Sequence, residues 1–245
     1  TGAPAEAGSE AAVNTPPPDR RVFIIADSTM AGMRWNATLA GLQGFTAFAD
    51  LESCRRLVAS SCRGREGYVP PTLVSEIRNL PPITDEDILV IGAGYDDWYG
   101  RFSSDFDTVV ATARAKGFHH IAWANYVVTT HYLQPGSLAP NYDAMNGVLA
   151  TKVASGAYPE VRIWDLNGYV QGTSGWFYSD GIHETPLGSW AVADWISRHV
   201  RAFDDRPCAQ PWTPGTTVAD PCPDPDPLPA TLGNPAIAAL YPVAG

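Results

Sequence analysis

Long apolar runs are missing from this 245-residue chain, and no stretch approaches the roughly 18 to 20 residues that a membrane span needs. Positive charge is scarce: 16 Lys and Arg stand against 26 Asp and Glu, for a net charge of −10. No basic patch stands out, so the surface repels nucleic acid and anionic membranes. A neutral or cationic small molecule, a glycan or a lipid is left as the expected partner. Neither cysteine pair has the Cys-x-x-Cys spacing of a metal site, and no histidines are placed to complete one, so no metal is implied. A phosphate loop is also missing. Gly92-Ala93-Gly94-Tyr95-Asp96-Asp97 lacks the lysine of a P-loop, and its two carboxylates repel phosphate. The Gly-x-Gly-x-x-Gly of a dinucleotide fold fails there too, because position 97 is Asp. No internal repeat is visible.

What is present suits one good-sized domain, with 45% of residues hydrophobic. The ends differ from the middle. Residues 1–19 are rich in Ala, Pro and Glu and read as a flexible leader. Residues 207–245 carry too many prolines for a long helix and read as an irregular tail. The domain is expected over 20–206. The four cysteines are Cys54, Cys62, Cys208 and Cys222. Proximity favours the pairs Cys54–Cys62 and Cys208–Cys222, although four cysteines allow three connectivities. Disulfides imply an oxidising compartment, hence a secreted or extracytoplasmic protein.

Between the ends, strand and helix patterns alternate. Strands are predicted over 21–27, 45–51, 88–91, 121–128 and 161–166, and helices over 30–42, 69–80, 106–116, 142–154 and 187–203. This alternation predicts an α/β fold, a three-layer α/β/α sandwich around a parallel sheet of about five strands. Ligands bind such sheets at the carboxyl ends of the strands. Ser28, the Gly92–Asp97 loop and the loop carrying Asp180 and His183 all follow strands or lie in late loops.

The chemistry concentrates in Asp180-Gly181-Ile182-His183. An Asp-x-x-His turn lets the carboxylate fix the tautomer of its neighbouring imidazole, leaving the other ring nitrogen free to take a proton from a hydroxyl. Ser28, after Asp27 at the end of the first strand, is the candidate hydroxyl. A following helix would offer backbone N–H groups to a developing oxyanion, or Ser28 would simply cap that helix. The other histidines have no such support. His119 and His120 read as surface or strand-edge residues, His131 lies in a loop, and His199 is expected on the exposed face of the last helix.

Ala26-Asp27-Ser28, Gly94-Tyr95-Asp96-Asp97 and Asp180-Gly181-Ile182-His183, in this order, resemble blocks I, III and V of the SGNH (GDSL-type) hydrolases. Those blocks read Gly-Asp-Ser, Gly-x-Asn-Asp and Asp-x-x-His. The resemblance spans roughly residues 21 to 203, and the chain has no Gly-x-Ser-x-Gly elbow of the ordinary α/β-hydrolases. It implies a flavodoxin-like fold and a serine esterase or O-acyl transferase. Ser28 would be the nucleophile, His183 the general base and then acid, and Asp180 its orienter. In that family the oxyanion hole takes the N–H of the nucleophile, an N–H from the block II glycine and the block III asparagine side chain.

The chain departs from this pattern at three places. Ala26 stands for the block I glycine. After the second strand it reads Glu52-Ser53-Cys54-Arg55-Arg56 with no glycine, so Cys54 or Arg55 is the expected N–H donor. Asp96 replaces the block III asparagine, and an ionised aspartate has no proton to give. Either Asp96 is protonated in a dry site, or Asp97 or another group substitutes in a slow enzyme, or the domain binds without hydrolysing. The expected substrate is an acyl ester of a carbohydrate, cell-wall polymer or lipid. No cofactor is implied, and the chain is expected to be a monomer, with cell-wall association open. Tyr95, Asp97, Trp98 and Trp176, with Tyr99 and Tyr178, flank the site loops as candidate substrate contacts. A glycan- or wall-binding domain without activity is the alternative. A glycosidase with a carboxylate pair drawn from Asp96, Asp97 and Asp180 is a further one.

Overall fold

The computed structural model describes residues 20–42, 45–128 and 139–203, with backbone only for 139, 140 and 201 to 203. The expected leader, the Pro-rich tail, the Cys208–Cys222 pair and His131 fall outside these residues.

Five parallel strands form one sheet: β1 (Arg21–Ala26), β2 (Thr46–Leu51), β3 (Ile88–Gly92), β4 (His120–Ala124) and β5 (Val161–Trp164), in the order β2-β1-β3-β4-β5. The helices are α1 (Gly32–Trp35), α2 (Leu73–Asn79), α3 (Tyr99–Lys116), α4 (Ala139–Ala154), α5 (Leu166–Val170) and α6 (Pro186–Phe203). The α/β/α sandwich is as expected. The period-2 alternation of β1 divides the core. Phe23 and Ile25 pack with residues of α2, α3 and α4, while Val22, Ile24 and Ala26 pack with residues of α1, α5 and α6. Both faces are therefore covered, as a wholly parallel sheet requires. Among the described residues no helix is long and apolar enough to cross a membrane.

Several boundaries differ from the sequence reading. The helix expected over 30–42 is only the four-residue α1 and a 3-10 turn over Leu39–Gly41. Ala37 between them adopts a left-handed φ of 56°, which stops a helix. Ser28 thus precedes a turn and a very short helix, and the helix-dipole contribution expected beside it is slight. Pro70 and Pro71 stay outside α2, because Thr72 caps it by accepting from the Ser75 N–H at 3.2 Å. Helix α3 starts at Tyr99, seven residues early, and ends at Gly117 with a φ of 110°. Strand β4 stops at Ala124; the Asn125 N–H still bonds the Trp164 carbonyl at 3.1 Å, and its side chain donates to Asp165 at 2.7 Å. The short α5 has no signal in the periodicity.

His199 is the clearest correction. It was expected on the exposed face of α6, between Arg198 and Arg201. It is instead buried, stacked on Trp164 at 4.6 Å and edge-on to Trp195 at 4.7 Å. That face of α6 packs on the end of β5, and Arg198 stays paired with Asp194 one turn away.

The topology sets where chemistry can occur. From β1 the chain moves outward to β2, then returns to β3 on the other side of β1. The carboxyl ends of β1 and β3 therefore flank a switch point, where open parallel sheets bind ligands. Ser28 follows β1, and Asp96 follows β3.

Candidate active site

The two loops at the switch point are tied by Asp27. Its carboxylate is fully buried and accepts four hydrogen bonds: Thr29 N–H at 3.0 Å, Thr29 Oγ1 at 2.8 Å, Gly94 N–H at 2.9 Å and Tyr95 N–H at 3.0 Å. Such a group replaces its lost hydration with directed donors. Gly94 has a φ of 124°, and a Cβ there would meet the Tyr126 hydroxyl at 2.2 Å, so only glycine fits the turn. Ser28 and the Tyr95–Asp97 segment are thus fixed relative to each other by a residue to which sequence reading gave no role.

The third loop is a tight hairpin, with Phe177 bridged to Glu184 and the Tyr178 N–H bonded to the His183 carbonyl at 2.9 Å. Inside it, Asp180 Oδ1 accepts the N–H groups of Ile182 (3.0 Å) and His183 (2.9 Å). Gly181 supplies the positive φ of 76° that this turn needs. Asp180 Oδ2 lies 2.8 Å from His183 Nδ1, and His183 Nε2 lies 3.0 Å from Ser28 Oγ. The serine, imidazole and carboxylate singled out in the sequence form one hydrogen-bonded chain. Partial burial pushes the Asp180 carboxyl up, but the two N–H donors and the imidazole outweigh it and hold it below the ordinary carboxylate range.

The block II segment approaches from the other side. The disulfide Cys54–Cys62 closes its loop. Arg34 of α1 pairs with both Glu52 and Glu66, Tyr68 donates to Glu52 at 2.7 Å, and Ser53 Oγ donates to Glu66. Cys54 holds a φ of 64°, a conformation more natural to the glycine that the resemblance expects nearby. Cys54 lines the same pocket as Ser28. The backbone N–H groups of Ser28 and Cys54 have no acceptor among the described residues. Arg55 does not line it: its buried guanidinium turns back to Asp50 at the end of β2, at 2.8 and 2.9 Å.

These loops enclose a pocket of about 520 Å³. Asp96 lines it, with a carboxyl oxygen within 4.8 Å of the Cys54 and Cys62 sulfurs. Those sulfurs are bonded to each other and offer no thiolate to a metal. Burial pushes the Asp96 carboxyl above its ordinary range, against the pull of Arg56 and His183.

The other predicted contacts are placed differently. Tyr95 is buried, its hydroxyl accepting from Val127 N–H at 2.7 Å. Asp97 turns inward and accepts from Leu57 N–H at 3.0 Å, joining blocks II and III rather than lining the pocket. A carboxylate pair using Asp97 loses its member. Trp176 is buried against Tyr169. Trp98 is 69% exposed and lies outside the pocket. Tyr178 does line it and is 54% exposed. Trp35, Asn36, Ser53, Arg65 and Glu184 complete the walls, and sequence reading assigned none of them.

The chain has the SGNH hydrolase fold. A member of the lipolytic G-D-S-L family from Veillonella parvula superposes with a TM-score of 0.54 at 10% identity, over 75% of this chain and 98% of that one. A protein of Agrobacterium tumefaciens assigned as an arylesterase gives 0.51 at 12% identity, over 74% and 98%. A Bacteroides ovatus protein assigned as a GDSL-like lipase gives 0.52 at 14% identity, over 74% of this chain and 51% of that one. No family model and no curated protein matches the sequence. The fold is thus shared at only 10 to 14% sequence identity.

Four buried groups couple the fold to pH. Burial raises Asp27 to about 6, Asp97 to about 7 and Glu184 to about 8, and lowers His199 to about 3. A carboxyl raised on folding contributes stability that is fully present below its unfolded value near 4 and is lost as pH rises through the folded value. The three carboxyls therefore withdraw stability between about pH 4 and pH 8. His199, a lowered base, adds stability as pH rises from about 3 to 6.5, one group against three. The melting temperature is expected to fall by more than about 5 °C between pH 5 and pH 9 in calorimetry. A flat or rising profile contradicts this.

Proposed function

We propose that the chain is an exported serine esterase or O-acyl transferase acting on an acyl ester of a carbohydrate, cell-wall polymer or lipid. The observation that carries the reading is the chain Asp180–His183–Ser28, with heavy-atom distances of 2.8 and 3.0 Å. Both distances suit proton transfer by a positioned base. The disulfide supports export.

The mechanism follows from the contacts. His183 Nε2 takes the Ser28 proton as Oγ attacks the ester carbonyl. Asp180 holds Nδ1–H, so the ring carries the correct tautomer and the imidazolium is stabilised. The oxyanion is received by the free N–H groups of Ser28 and Cys54. His183 then returns the proton to the leaving alkoxide, and an acyl-enzyme remains. Water or another hydroxyl attacks it by the same steps in reverse order, which is what separates hydrolysis from transfer. The exposed ring of Tyr178 in the pocket wall favours a sugar-bearing substrate.

The test is labelling with a fluorophosphonate probe, then mass spectrometry of the digested protein. A single adduct on the Ser28 peptide is expected. Absence of an adduct while glycan still binds favours the second reading, a binding domain on a hydrolase scaffold, for which Asp96 in place of asparagine is the supporting observation.

A further inference from the structure

In this acidic chain the arginines near the site are nearly all committed. Arg34 pairs with Glu52 and Glu66, Arg55 with Asp50, and the Arg56 and Arg63 side chains donate to the carbonyls of Asp96 and Gly67. Arg65 differs. Its guanidinium makes no ion pair or hydrogen bond with any described residue, yet it lines the pocket that holds Ser28 and His183. The guanidinium carbon sits 4.5 Å from the ring centre of Trp35, another pocket residue. Its backbone N–H is tied to Ser53 Oγ at 2.6 Å. An arginine over an indole is held in place while its N–H donors stay available.

We propose that the pocket recognises an ester carrying a carboxylate near the scissile bond, with Arg65 as the counter-charge. This rests on the serine-hydrolase reading above and narrows its substrate class. The remaining walls suit the proposal. Asp180 is committed to His183. Burial holds the Glu184 carboxyl up at about 8, so it does not present the full repulsion of an exposed carboxylate at neutral pH, and burial pushes Asp96 in the same direction.

The carboxylate can belong to the acyl group or to the alcohol, and matched pairs separate the two. The first pair is 4-nitrophenyl hemiglutarate and its methyl ester. The second is an O-acetyl methyl glucuronoside and the O-acetyl methyl glucoside. At least one charged member is expected to exceed its neutral partner in kcat/KM by fivefold or more. Arg65→Ala should bring that ratio near one, Arg65→Lys should keep part of it, and raising salt from 0.05 to 0.5 M should erode it. A neutral or choline ester preferred over both charged members overturns the proposal, as does a preference that survives Arg65→Ala. Calorimetry keeps the test separate from catalysis. If the fluorophosphonate leaves Ser28 unmodified, the hydrolase reading fails. Binding of glucuronate or glutarate that is lost in Arg65→Ala then still upholds the anion site, and no binding by wild type overturns it.

Discussion

Replacing His183 by Ala lowers kcat on 4-nitrophenyl acetate by about 10³- to 10⁴-fold, with KM changed far less. Among the described residues the imidazole is the one group bonded to Ser28 Oγ, at 3.0 Å, that can take its proton, so without it the nucleophile is left at its free, weakly reactive pKa. KM is spared because the ester rests against pocket walls that the substitution does not touch. Asp180→Asn is the sharper companion. The amide keeps the shape of the turn but reverses the demand on Nδ1, so the ring presents the wrong tautomer to the serine. Its loss should approach that of His183→Ala, even though Asp180 touches no substrate. The pair behaves as a unit, so the double variant should cost little more than either single one. Additive losses would mean that the two side chains act separately, and the proton path through Asp180–His183–Ser28 would fall.

The sequence exposes some parts of this site and hides others for physical reasons. Local geometry is legible. In Asp180-Gly181-Ile182-His183 the carboxylate bonds N–H groups two and three residues on, so the turn is written in four adjacent positions. The parallel sheet is legible too, because strands buried on both faces read as continuous apolar runs such as 22–26. What stays hidden is made by distant packing. Asp27 looks like the neighbour of a nucleophile, but its role is to receive N–H groups from residues 94 and 95. Asp97 looks like a site carboxylate in the same loop as Asp96, yet one residue of offset turns it inward to Leu57. His199 reads as exposed between two arginines, and only the docking of α6 on Trp164 buries it. Trp35, Arg65 and Glu184 meet around Ser28 from three separate segments of the chain, and no local pattern marks that meeting.

Asp96→Asn is the substitution expected to gain activity, by about 10- to 100-fold in kcat at pH 8. An asparagine at this wall offers an N–H to the oxyanion at every pH. Aspartate offers a proton only while it is protonated, and once ionised it repels the charge that develops on the substrate. Burial raises the Asp96 carboxyl, so the protonated, donating form is favoured over that of an exposed aspartate and gains as pH falls. The ratio of variant to wild type should therefore be largest in alkali and shrink toward pH 5. The variant should hold its activity further into alkali than the wild type. A second consequence lies outside catalysis. The charge of Asp96 helps raise Asp27, so its removal should let the Asp27 carboxyl fall and soften the loss of stability with pH. An unchanged or lower rate for Asp96→Asn would mean that the carboxylate itself performs a step that asparagine cannot, and the oxyanion assignment would pass wholly to the N–H groups of Ser28 and Cys54.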